Sequence, residues 1–164
     1  MKKGCTFCSI INEPEIQKVY EDDTNVIIED IRPAADLHLL VLPREHIRDI
    51  TTVDDAKTLD SLLLTAKAHL ADFEKMEKHV GFHQPPFNSQ YHLHMHIVSG
   101  KMNAKQRKRI LNPGWTDIEK AYELIDFLDL SSKARAPASM NLPNPSELNI
   151  PPPPSKCSSP PPSS

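Results

Sequence analysis

The spacing of apolar residues changes twice along the chain. Between Gln17 and Pro43 the apolar residues fall in short runs, Gln17–Glu21, Asn25–Asp30 and His38–Leu42, broken by the turn formers Asp22–Thr24 and Arg32–Asp36. Runs of this length rich in Val, Ile and Leu predict three short strands, and the short connections make them antiparallel. From Thr52 the period lengthens. Ala56, Leu59, Leu62, Leu63, Ala66, Leu70 and Phe73 recur at three and four residues, which predicts a long amphipathic helix capped by Thr52 or Asp54. Alternation then returns. His79–Gln84 and Tyr91–Val98 predict two more strands, with Pro85 and Pro86 between them. A closing helix over 116–128 is predicted from Ile118, Ala121, Tyr122, Ile125 and Leu128, with Thr116 as its cap. The pattern amounts to an α+β domain built on an antiparallel sheet of about five strands, one long helix and a C-terminal helix.

Composition divides the chain. Ten of its 16 prolines follow Lys133, in a segment with too few apolar residues to offset the entropy of ordering it. Residues 1–130 are therefore read as the folded domain and 131–164 as a disordered Pro/Ser-rich tail. A net charge of −3 and a pI near 6.2 create no overall field for nucleic acid or anionic membrane. The basic run Lys101–Arg109 is the local exception, read first as a solvated face and otherwise as a patch for anions. No signal-peptide core or long apolar run is present. The cysteines Cys5, Cys8 and Cys157 are too few for a disulfide framework, so a cytoplasmic setting, also nuclear, is expected.

The chemistry concentrates in "YHLHMHIV", residues 91–98. On a strand His92, His94 and His96 share one face, with Leu93, Met95 and Ile97 on the other. A solvated polar face explains the alternation but not the choice of histidine three times. One metal held by all three is hard to build, because the outer Cα atoms lie about 13 Å apart at about 3.3 Å per residue. One or two of the three histidines remain available as metal ligands, and a third reading lays a phosphoryl group along the row, with one imidazole as nucleophile and another as hydrogen-bond donor. The Ser89 hydroxyl just upstream is placed to hold phosphoryl oxygens.

The segment "HLHMHIV", together with "CTFC", "YEDDTNVIIEDIRPAADLHLLVLPREHI" and the long helix, resembles the histidine triad superfamily over residues 5 to about 100. "GFHQPPFNSQYHLHMH" is most similar to the histidine triad nucleotide-binding protein 3 branch and also resembles the catalytic domain of aprataxin. The resemblance implies a nucleotide-binding hydrolase that cleaves adenosine 5′-monophosphoramidates through a histidyl-AMP intermediate. His94 would be the nucleophile, and His96, Ser89 and Asn88 would lie at the phosphate. Asp30 and Ile31 would line the nucleoside site. Phe87 stands where the best-known branch has a glycine, and His83 is the nearest substitute for an asparagine of that branch. His83, His92 and His46 are expected to support the site.

By the same resemblance, Cys5, Cys8, His46 and His92 could form a structural zinc site, although the chemistry itself requires no cofactor. His38, His69 and His79 are read as surface or packing residues, and Trp115 as an anchor for the closing helix. The expected partners are a purine nucleotide and a second copy of the chain, joined through the long helix and a shared sheet. No membrane is expected. Two other functions are weighed: hydrolysis of adenylated nucleic acid, as in aprataxin, and a non-catalytic nucleotide-binding module.

Overall fold

The computed structural model describes residues 2–70 and 72–135. In chain order they form α1 (Thr6–Asn12), β1 (Tyr20–Glu21), β2 (Asn25–Glu29), β3 (Leu37–Pro43), α2 (Ala56–His69), β4 (Lys78–His83), β5 (Met95–Ser99), α3 (Ala104–Ile110), β6 (Trp115–Asp117) and α4 (Ile118–Arg135). A 3-10 turn, Ile50–Thr52, precedes α2. The expected α+β fold is present. Its sheet has six strands in the order β1-β2-β3-β5-β4-β6, and every neighbouring pair is antiparallel.

Alternation along the strands divides the side chains between two layers. Ile27, Leu39, Val41, Phe82, Leu93, Met95 and Ile97 pack with Leu59, Leu62 and Ala66 of α2 and Ala121 and Ile125 of α4. The opposite parity, Val26, Ile28, Leu40 and Leu42, packs with Phe7 and Ile11 of α1. On that second face Val98 meets Ala34 and Ile110, the last residue of α3. No helix among the described residues is long and apolar enough to cross a membrane.

The elements depart from the sequence pattern in several places. The last central strand begins at Met95, not Tyr91, because the preceding residues are held outside the ladder. The Leu93 N–H donates to the Ile47 carbonyl at 2.7 Å, and the His92 ring bonds to Pro43. Thr116 is not a helix cap but a buried residue of β6, paired with Phe82. That strand lies against Gly81, where a Cβ would collide with the Thr116 carbonyl and come within 2.8 Å of the Trp115 ring.

At the start of α2 the cap is Asp55, whose side chain accepts from the Lys57 N–H, whereas Thr52 closes the earlier 3-10 turn with Asp49. Helix α2 ends at His69, and Phe73 joins the same core from the turn beyond. Helix α4 runs to Arg135, five residues into the expected tail, through helix-tolerant residues that precede the first tail proline, Pro137. The rest of the Pro/Ser segment, residues 136–164 with Cys157, lies outside the described residues.

Candidate functional site

Helices α1 and α3 cover the second face of the sheet only in part, leaving a cavity of about 360 Å³ between them. It is lined on one side by Phe7, Ile10, Ile28 and Leu40. Asp30, Ile31, His83, Phe87, Ser89, His94, His96 and Arg109 line the remainder. A volume near the lower end of the range for small-molecule sites suits a ligand of nucleotide size.

His94 is 8% exposed, and its ring packs edge-on against Phe7 at 5.1 Å between centroids. Its Nδ1 is 2.6 Å from the His92 carbonyl, which can only accept, so Nδ1 carries the proton and Nε2 keeps its lone pair. Burial is the main influence on this ring and lowers its pKa to about 4 against the opposing His92 hydrogen bond. At neutral pH His94 is therefore an uncharged imidazole with a free nitrogen, the state a nucleophile requires.

His96 sits in a chain of histidines that the sequence did not reveal. Its Nδ1 is 2.9 Å from Nε2 of His38, and its Nε2 is 3.1 Å from Nδ1 of His83. The far ends are backbone groups. The Ala34 N–H donates to His38 Nδ1 at 3.2 Å, and His83 Nε2 donates to the Ile110 carbonyl at 2.9 Å. An amide N–H only donates and a carbonyl only accepts, so a single arrangement of protons satisfies the chain. All three rings are neutral, each with its proton on Nε2. Burial, the largest influence on each, lowers the pKa values of His38, His83 and His96, which agrees with three uncharged rings. The one N–H of His96 is therefore committed to His83 Nδ1, which fixes the ring at the cavity wall.

His38, read from sequence as a surface or packing residue, is 4% exposed and belongs to the site. Strand pairing puts it opposite Val98 and diagonal to His96, a relation that no single run of residues displays. The other expected residues divide by location. Asp30, Ile31, Ser89 and His83 line the cavity. Asn88 does not. It is buried behind the loop beside Asp49, Ile50 and Leu93, where its side-chain amide approaches the Gln90 carbonyl. Its place in the sequence next to Ser89 concealed this, because the turns and bends between His83 and Leu93 send neighbouring side chains in different directions. Phe87 lines the cavity with its side chain lodged over Gly114, where a Cβ would be 2.5 Å away.

His92 and His46 are absent from the cavity wall and meet Cys5 and Cys8 instead. Cys8 Sγ lies 3.3 Å from His46 Nδ1 and 3.5 Å from His92 Nδ1. Cys5 Sγ lies 3.5 Å from His92 Nδ1, and the two Nδ1 atoms are 3.3 Å apart. A tetrahedral zinc with bonds of about 2.3 Å to sulfur and 2.0–2.1 Å to nitrogen has edges of roughly 3.3–3.8 Å, so the four residues fit the ion. The His92 Nε2 donates to the Pro43 carbonyl at 2.9 Å, which leaves Nδ1 unprotonated for a metal. Burial, foremost, raises the Cys8 thiol pKa, so thiolate at this position calls for a cation nearby.

The family model described as "Scavenger mRNA decapping enzyme C-term binding" matches residues 4–112. The adenosine 5′-monophosphoramidase HINT3 of Xenopus tropicalis is 33% identical over 140 residues, 78% of this chain and 89% of the relative. The bifunctional adenosine 5′-phosphosulfate phosphorylase/adenylylsulfatase HINT4 of Arabidopsis thaliana is 38% identical over 105 residues, 60% of this chain and 72% of the relative. Among solved structures, a histidine triad protein from Clostridium difficile superposes with a TM-score of 0.56 at 27% identity, covering 63% of this chain and 96% of the other. An aprataxin ortholog, Hnt3, solved in complex with DNA, shares the fold at 22% identity and a TM-score of 0.55, with 71% and 73% coverage. A family model matching residues 4–112, a relative 33% identical over 78% of the chain and the row His92, His94 and His96 lead to one assignment: this chain belongs to the histidine triad superfamily.

Proposed function

We propose that the protein is a nucleotide hydrolase of this superfamily that cleaves adenosine 5′-monophosphoramidates and releases AMP. One observation carries the reading: His94 has its Nδ1 proton committed to the His92 carbonyl, leaving a neutral Nε2 in a cavity with an apolar wall. The adenine would lie on Phe7, Ile10, Ile28 and Leu40, with Asp30 at the ribose. His94 Nε2 attacks the α-phosphorus, forming the N–P bond as the P–N bond to the amine breaks, and the amine leaves with a proton from water. Water then attacks phosphorus, the histidyl bond breaks, and AMP departs as that water gives up a proton. The sum is substrate and water giving AMP and amine. Throughout, the Ser89 hydroxyl supplies a hydrogen bond to the phosphoryl oxygens as charge builds on them, while the imidazole chain fixes the His96 ring beside them.

The names of the two relatives support the adenylate part of this substrate and differ in the leaving group, an amine for one and sulfate or phosphate chemistry for the other. We assign zinc to the Cys5–Cys8–His46–His92 cluster as a structural ion. It would tie α1 to the segment leading into β5 and take no part in the reaction.

Turnover of a fluorogenic adenosine phosphoramidate tests the function. His94→Ala is expected to lower kcat by several orders of magnitude with the fold intact. Turnover surviving in that variant contradicts the proposal.

A further inference from the structure

Residues 101–110 carry Lys101, Lys105, Arg107, Lys108 and Arg109 without a single carboxylate. Of these five only Arg109 lines the cavity, and Arg32 lines it from the loop before β3. Arg109 does not extend into solvent as a free arm. Its Nη2 donates to the Arg32 carbonyl at 2.6 Å, which folds the guanidinium back over the rim. Helix α3 is itself fixed, by an N-terminal capping box between Asn103 and Gln106 and by Ile110, which is buried against Ala34 and Val98. No carboxylate lies within 4.0 Å of either guanidinium among the described residues. Asp30, an acid of the wall, accepts from the backbone N–H of Arg32 with one oxygen at 2.7 Å, and its other oxygen lies 3.6 Å from His38 Nε2.

Position gives this pair a meaning. The apolar wall meets His94 through Phe7. The Arg109 charge acts instead on His38, His83 and His96, beyond the nucleophile. From the apolar wall the cavity runs past His94 and His96 to a rim that carries Arg109, whose guanidinium is held, and Arg32. A nucleotide with one phosphate needs no such end. Two guanidinium groups on one rim repel each other, and a phosphate or sulfate between them relieves that cost through charge-assisted hydrogen bonds.

We propose that the Arg32–Arg109 rim is a subsite for a second anionic group, a phosphate or sulfate, carried by the nucleotide whose α-phosphate meets His94. This deepens the proposed function and rests on its placement of the α-phosphate. The second anion has two possible sources, the leaving group and a ribose hydroxyl, and the chemistry at the rim is the same for both.

The test reads binding without turnover. In the full-length His94→Ala protein, calorimetry compares AMP with adenosine 5′-phosphosulfate, the leaving-group source, and with adenosine 3′,5′-bisphosphate, the ribose source. One of the two is expected to bind about tenfold or more tighter than AMP at low salt. Adding Arg109→Gln or Arg32→Gln should remove most of that gain, and raising the salt should erode it. Equal affinities for all three ligands overturn the subsite, as does a gain that survives both substitutions. If neither small ligand gains but adenylated nicked DNA binds tightly, the subsite is also overturned, in favour of a nucleic-acid surface along Lys101–Arg109. The nucleophile assignment fails separately, through turnover of the phosphoramidate by His94→Ala.

Discussion

Both ring nitrogens of His96 are already engaged by other imidazoles, and this limits what the ring can do. A neutral His96 between His38 and His83 cannot give up its proton without becoming an imidazolate, so it acts through hydrogen bonding rather than as an acid. His38→Phe should leave the buried Nδ1 of His96 unpaired and cost about 1–3 kcal/mol of stability. His38→Gln, which retains a donor at the same distance along the side chain, should recover part of that loss. Long-range 15N correlation spectra of the wild type are expected to show His38, His83 and His96 all with the proton on Nε2. A mixture of tautomers would contradict the locked chain. The triad itself was legible in the sequence because its histidines alternate with apolar residues over five positions, although only His96 lies in the strand that forms. His38 was not. A single histidine in "LHLLVLP" gives no sign of its neighbour 58 residues away until the β3–β5 register is known.

Short elements here depend on what they touch. Helix α1, at seven residues, is too short to persist alone. It is held by Phe7 and Ile11 in the second core and by Cys5 and Cys8, the former also its N-cap. Because Phe7 and Ile10 line the cavity, the Cys2His2 cluster positions part of its apolar wall from a distance. Protein purified without chelator is expected to contain about one zinc per chain by elemental analysis, and Cys8→Ser should lower both metal content and Tm. Metal-free protein with an unchanged Tm in the variant contradicts the assignment.

The β1–β2 turn offers a second test at this scale. Burial pushes the Asp22 pKa up, but the Asn25 and Thr24 N–H groups and the Thr24 and Tyr20 hydroxyls outweigh it and hold the carboxyl at about 2. Its folded-state pKa lies below the ordinary 3.8, so its stabilisation is present above pH 3.8 and lost as pH falls through 2. Asp22→Ala should cost about 2 kcal/mol at pH 7 and almost nothing near pH 2, measured by urea unfolding. An equal cost at both pH values would assign the effect to packing instead.

The same dependence on neighbours explains which elements the sequence disclosed. Helix α2 was clear from its own periodicity. Strand β6 was hidden because Thr116-Asp117 reads locally as a helix start, and only the bare backbone of Gly81 in β4 makes room for it.

In the whole molecule, helices on both faces of one sheet separate two tasks. Helices α2 and α4 build the main core, while α1 and α3 frame the cavity on the other side. The two edge strands are short, β1 with two residues and β6 with three, so a sheet shared between two copies has little ladder to extend. A homodimer, expected from the family resemblance, would have to form mainly through helices, and Leu64 on α2 is 68% exposed. Sedimentation should then show a concentration-dependent dimer that Leu64→Asp disrupts. A wild-type monomer at every concentration contradicts that arrangement.

At this scale the fold class could be read from the sequence, and so could the row of histidines on which the proposed chemistry rests. The cavity could not, because its walls come from α1, the loop before β3, the segment leading into β5 and α3, which meet only after the sheet has formed. The proposed chemistry requires that His94 become covalently bonded to phosphorus. It is tested most directly by mixing excess enzyme with an adenosine phosphoramidate, quenching at alkaline pH within milliseconds, and mapping the peptides by mass spectrometry. An AMP adduct on His94 that forms and decays at rates matching turnover is expected. An adduct on another residue, or turnover with no adduct at any time, contradicts it.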